Sequence, residues 1–178
     1  MPPADDWLSD VQAVARRHAA TPTFVRGSCV PYFRRGVLSV PAFKWNGTGD
    51  PAIEGRSQSL RLMAKATQLP VDALFFDLED AAPDQPDFKA LARAFCSEAL
   101  VAARSCGRVL GFRPNDIRSA HFADDLSATL GAMGPGVDFI VLPKTESADE
   151  VRDVASLLRR VAQRERWPQV PRLEVLIE

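Results

Sequence analysis

The sequence predicts an α/β protein built from βα units around a parallel sheet. Three observations carry the prediction: five short runs that are nearly continuous in apolar residues, amphipathic helical patterns between them, and a repeat of roughly 30 to 36 residues per unit. A strand exposed on one face would alternate apolar and polar residues, so continuous runs imply strands covered on both faces.

Taken in order, the chain opens with a pattern in which Trp7, Val11, Val14 and Ala15 share one helical face behind a cap at Asp5 or Asp6. A helix is expected over about residues 6–19, followed by the proline-punctuated connection "TPTFVRGSCVPYFRR". Residues 1–34 are read as an N-terminal helical extension and 35–178 as the βα domain. The expected strands are "GVLSVPA" (36–42), "ALFFDLED" (73–80), "RVLGFRPN" (108–115), "DFIVLPK" (138–144) and "RLEVLIE" (172–178). The expected helices are "RSQSLRLMAKAT", "FKALARAFCSEALVAAR", "FADDLSATLGAM" and "ADEVRDVASLLRRVAQRER". No GxGxxG follows the first strand, and "NGTG" reads as a plain loop, so a dinucleotide fingerprint is missing. The residues leave two architectures open, an open doubly wound sheet and a (β/α)8 barrel.

The bulk numbers exclude several classes. With 46% hydrophobic and 25% charged residues in 178, the chain has the composition of a globular protein with a sizeable core. Lys plus Arg number 22 against 23 for Asp plus Glu, which gives no electrostatic reason to expect a nucleic acid or an anionic membrane as partner. No stretch approaches about 18 uninterrupted apolar residues, and the acidic start lacks an apolar run of signal-peptide length. Cys29, Cys96 and Cys106 are odd in number and lack zinc spacing, which fits a reducing cytoplasm.

The strand ends hold the chemistry. Asp77, Glu79 and Asp80 close the second run, Arg113 and Asn115 the third, Lys144 the fourth and Glu178 the fifth. In parallel βα units these ends share one rim, where such folds build their sites. Carboxylates without His or Cys ligands suit a hard cation such as Mg²⁺, with Glu178 as a candidate ligand and the acids of the second strand holding its waters or anchoring Arg113. The Arg113 fork suits a carboxylate or an oxygen that becomes negative during reaction. Lys144 is read as a salt-bridging or anion-steering group, because neighbouring carboxylates favour its charged form over the neutral amine a Schiff base needs. His18 and His121 belong to no recognisable triad, and Cys96 and Cys106 are read as packing residues.

In this order "RGVLSVPA", "FFDLEDAAPDQPDFKALAR", "FRPN", "FIVLPKTES" and "LEVLIE" resemble the HpcH/HpaI aldolase and citrate lyase beta-subunit family, within it most of all the malyl-CoA and β-methylmalyl-CoA lyases. The "DLED" element followed by Lys89 and Arg93, the Arg-x-Asn and the Pro-Lys form the specific set. The resemblance implies a TIM (β/α)8 barrel, here incomplete at about five βα units. It also implies a Mg²⁺-dependent carbon–carbon lyase that cleaves or forms a 3-hydroxyacyl-CoA thioester, with a small oxoacid such as glyoxylate as the other partner. Carried over, Arg113 would contact the oxoacid and the enolate, Glu79 and Asp80 would support metal and arginine, and Glu178 would ligate the metal. Arg35, Lys144 and Asn115 would line the substrate side. The resemblance further implies a homo-oligomer at full length, and the chain is expected to be the N-terminal part of such a lyase, weakly active or inactive alone. A class II aldolase of 2-oxo-3-deoxy acids and a non-catalytic, partner-binding remnant are the alternatives.

Overall fold

The computed structural model describes residues 36–177. Arg35, Glu178 and the expected N-terminal helix lie outside the described residues.

Five parallel strands form one sheet in the order β1 (Val37–Pro41), β2 (Ala73–Asp77), β3 (Val109–Arg113), β4 (Phe139–Leu142) and β5 (Arg172–Val175). All four strand pairs are parallel. Between them run α1 (Arg56–Ala66), α2 (Pro86–Ala103), α3 (Phe122–Met133) and α4 (Ala148–Arg164). Each expected strand and each expected helix from residue 36 onward is present. The order never reverses among the described residues, so the sheet is singly wound and lacks the switch point of a doubly wound fold.

Burial follows position in the sheet. Strand β4 is buried along its whole length, and β2 and β3 are buried at four of five positions, while β1 and β5 at the two edges are partly exposed. Phe76, Phe112, Ile140 and Leu142 fill the middle, joined by Leu100 of α2 and Leu158 of α4. At about 1.5–3 kcal/mol for each large apolar side chain fully buried, this core is the main term holding the sheet together. Gly111 of β3 is required by close approach. A Cβ there would stand 2.6 Å from the Phe139 carbonyl oxygen and 2.8 Å from its ring, so the β3–β4 register depends on its absence.

Local signals set the helix starts. Ser147 caps α4 by accepting from the Glu150 N–H, and the Glu150 carboxylate accepts from the Glu146 N–H. Pro86 opens α2 at the position where a missing N–H costs nothing. In the first connection "NGTG" is a loop, as read, and a helical turn follows it. Gly47 and Gly49 make a turn with positive φ, and Asp50 then caps one wide helical turn, Pro51–Gly55, that leads straight into α1. No helix among the described residues is long and apolar enough to cross a membrane.

Candidate active site

Asp77 and Arg113 end adjacent strands in register, which brings their side chains together at the carboxyl edge of the sheet. The Arg113 guanidinium forks onto Asp77, with Nε donating to Oδ1 and Nη2 to Oδ2, both at 2.7 Å. Asp77 Oδ1 also accepts from the Glu79 N–H at 3.0 Å, a turn that ends the strand and swings the chain out over the edge. Beyond it, Arg113 Nη2 donates to Asp80 Oδ2 at 2.8 Å and Nη1 lies 3.3 Å from Glu79 Oε2. Asp77 and Glu79 are buried, whereas the Asp80 side chain is exposed.

Glu79 is the bridge of the rim. Its other oxygen lies 2.9 Å from Lys144 Nζ, so one carboxylate spans the exits of β3 and β4. Neither oxygen accepts a well-aligned hydrogen bond; the contacts to Arg113 and Lys144 are ionic and leave room to re-aim. Lys144 has φ +48, a left-handed conformation that is costly for a residue with a Cβ and recurs at functional positions. Its carbonyl is fixed by Arg118 Nη2 at 2.8 Å, and Arg118 in turn forks onto Asp116 and pairs with Glu146.

A second, fully internal layer lies beneath. Lys89 of α2 donates to the carbonyls of Leu78 and Glu79 and to Asn115 Oδ1. Asn115 presents its backbone N–H and its Nδ2 to Asp125 Oδ2, and Asp125 Oδ1 accepts from Arg93. Hydrogen bonding to Asp77 pushes the Arg113 pKa upward, fixing its charge. Burial pulls Lys89 below the ordinary lysine range, opposed by Asp84, Asp125, Asp77 and Asp80. The buried Cys96 thiol is pushed upward by desolvation and behaves as a packing group.

Of the residues singled out from the sequence, Glu79, Asp80, Arg113 and Lys144 meet at one rim. Asn115 lies below it, buried, with both ends of its amide engaged by Lys89 and Asp125. Sequence reasoning missed Asp125 as part of the set. The available signal was a carboxylate on the buried stripe of α3, where Phe122, Leu126, Leu130 and Met133 set the helical spacing. Lys89 interrupts the stripe of α2 in the same way.

Three acids of the rim, Asp77, Glu79 and Asp80, pair with two cations, Arg113 and Lys144, and Lys89 adds a third positive charge beneath them through the Glu79 carbonyl. The cluster therefore neutralises itself, and no group of three or more acids, His or Cys able to hold a metal occurs among the described residues. Its oxygens fit Mg²⁺ only as outer support, through water, for a cation whose direct ligands come from elsewhere.

A family model described as HpcH/HpaI aldolase/citrate lyase matches residues 56–178. The chain is 38% identical over 101 residues to the citrate lyase subunit beta-like protein of Deinococcus radiodurans, covering 55% of this chain and 34% of that one. It is 36% identical over 98 residues to the (3S)-malyl-CoA thioesterase of Cereibacter sphaeroides, covering 55% of this chain and 33% of that one. The matched stretch thus spans about a third of each relative's length.

Proposed function

The chain belongs to the HpcH/HpaI aldolase/citrate lyase family, and from that premise we propose that it carries the first five strands of a (β/α)8 barrel whose rim cleaves or forms a 3-hydroxyacyl-CoA thioester. The products of cleavage would be an acyl-CoA and a small oxoacid such as glyoxylate. The observation that supports this most is the convergence of Arg113, Lys144, Glu79 and Asp80 on the carboxyl ends of three successive strands, the side on which barrel enzymes build their sites.

In the retro-aldol direction the 3-hydroxyl loses its proton, the bond between C2 and C3 breaks, and its electron pair moves onto the thioester as an enolate. The enolate carbon then takes a proton to give the acyl-CoA. Two anions need holding, the oxoacid carboxylate and the enolate oxygen. Arg113 and Lys144 are the fixed positive groups available, and preorganised donors of this kind are worth most where water is excluded. Glu79 and Asp80 hold the guanidinium so that little reorganisation is needed when charge develops. Asn115 keeps the β3 exit in place, and Arg35 is assigned to the substrate side. Mg²⁺ would be held directly by Glu178 and through water by Glu79 and Asp80; bound there, it would polarise the oxoacid oxygens. A cytoplasmic location, in keeping with the free Cys96 and Cys106, and a homo-oligomer, as the family resemblance implies, complete the proposal.

The name of the second relative favours one further reading, hydrolysis of the thioester. Incubating the full-length protein with malyl-CoA and Mg²⁺ separates the two. A lyase releases glyoxylate, trapped as its phenylhydrazone, and no free thiol; a thioesterase releases the CoA thiol and no glyoxylate. Loss of glyoxylate formation in EDTA is expected. Turnover of free 2-oxo-3-deoxy acids with no response to any CoA ester would replace the proposal with the aldolase reading.

A further inference from the structure

Lys89 takes no direct part in the chemistry outlined above, yet it is one of the most completely engaged groups among the described residues. Its side chain is buried, with the residue 3% exposed. An ammonium has three N–H donors, and the three acceptors within reach are Leu78 O at 3.0 Å, Glu79 O and Asn115 Oδ1 at 2.7 Å. A lysine so saturated has no donor left for substrate and no lone pair for a Schiff base.

The identity of the two carbonyls is what matters. Leu78 O belongs to the peptide plane before the Glu79 Cα, and Glu79 O to the plane after it. The relative orientation of those planes is the φ/ψ pair of Glu79. One buried cation therefore sets the backbone conformation of the residue whose side chain bridges Arg113 and Lys144. The third donor ties this to the next strand, because Asn115 is fixed through Asp125, which is fully buried and held by Arg93 one turn along the same helix as Lys89.

We propose that Lys89 is the positioning residue of the rim: its ammonium locks the peptide planes on either side of Glu79 and thereby holds that carboxylate between Arg113 and Lys144. The kinetic part of the claim rests on the lyase reading above; the structural part does not. A rim held only by its own ion pairs would keep Glu79 in place without Lys89. The ionic, poorly aligned contacts of the Glu79 oxygens indicate that the backbone supplies the aim.

The test uses Lys89→Met and Lys89→Arg in the full-length protein, with near-ultraviolet circular dichroism to establish folding. Met keeps the length of the stem without donors. Arg keeps the charge, but its planar fork cannot serve three acceptors arranged around a single nitrogen. The first readout is the ¹³C signal of the Glu79 side-chain carboxyl, expected to shift in both variants as Glu79 leaves Arg113 and Lys144. The second is kinetic: kcat is expected to fall by about 10- to 100-fold, the cost of a displacement on the order of 1 Å, with KM for the CoA thioester within about 3-fold. An unmoved Glu79 signal in a folded variant overturns the proposal, as does a kcat per folded molecule equal to that of the parent. Should Lys89→Met fail to fold, Lys89→Arg decides alone by the same two readouts. Absence of lyase turnover in the parent protein defeats the proposed reaction instead, and the Glu79 signal still decides the role of Lys89.

Discussion

Arg113 and Arg118 are drawn alike and differ in what they do. Each forks onto an aspartate through Nε and Nη2, at 2.7 and 2.7 Å in one case and 3.0 and 2.8 Å in the other. Each also reaches an acid on another segment. The Arg113 side chain is 12% exposed and its partner closes a neighbouring strand 36 residues away; the Arg118 side chain is 42% exposed and its partner lies two residues back in the same turn. The first pair gives up hydration on folding, so losing one member leaves the other's buried charge short of its main partner. The second competes with water and salt for the same contacts. Hydrogen bonding to Arg118 lowers the Asp116 pKa, but in an exposed turn that shift carries little stability. Bond length alone does not tell the two apart.

Removing the buried cation is the most direct way to break the comparison. Arg113→Met strands Asp77 as a buried acid without its partner and leaves Glu79 with Lys144 alone, and a loss of about 3–5 kcal/mol is expected in urea unfolding, together with loss of activity. A change below about 1 kcal/mol would mean that the Asp77 site rehydrates easily, and the two arginines would then belong to one class. Arg113→Lys sharpens the point. It keeps the charge but presents a single nitrogen, so it cannot reproduce the two parallel bonds to Asp77 and the contacts to Glu79 and Asp80 together. An intermediate loss of about 1–3 kcal/mol is expected. Full stability in that variant would show that charge alone holds the rim.

Lys89 adds a pH test to the same layer. Its pKa in the folded protein is below the ordinary 10.5 because burial penalises the charge. Between the folded pKa and 10.5 the unfolded chain binds more protons than the folded one, so stability contributed by this group rises with pH across that window. Below the window the full cost of the buried charge is present. The stability difference between the parent and Lys89→Met should therefore move in favour of the parent as pH climbs toward 10.5. A difference that is flat, or that moves the other way, contradicts a depressed lysine at this position.

What the sequence made legible follows the same division. Strands and helices from β1 to β5 could be read because buried parallel strands are continuous in apolar residues and the helices repeat near 3.6. The rim could be read because charge at a strand end has few other places to go in parallel units. Pairwise partners could not: that Arg113 faces Asp77 depends on strand register, which only the folded sheet supplies. Asp125 escaped, and Lys89 was picked out only through the family resemblance, for a different reason. A helical stripe is recognised by its apolar members, and a single polar residue within it reads as an interruption, whereas here each interruption is the internal support of the site. The wide turn at Pro51–Gly55 was hidden by the glycines just before it, although Asp50 followed by Pro51 carried the start signal.

The smallest effect is expected at Arg118, and it tests whether exposure really decides. Arg118→Gln removes the fork to Asp116, the pair with Glu146 and the bond to the Lys144 carbonyl. On the exposed side of the comparison the two ion pairs should contribute nothing measurable near physiological salt, so the urea midpoint should not move. The bond to the Lys144 carbonyl is different in kind, since it helps hold a left-handed lysine at φ +48. Freed of that bond, Lys144 can relax toward ordinary backbone and draw its ammonium away from Glu79. The variant should therefore leave stability unchanged while raising KM for the oxoacid a few-fold, about the value of one lost anion contact. A stability loss as large as that of Arg113→Met would place Arg118 in the internal layer despite its exposure. An unchanged KM would mean that Lys144 keeps its strained position without outside help.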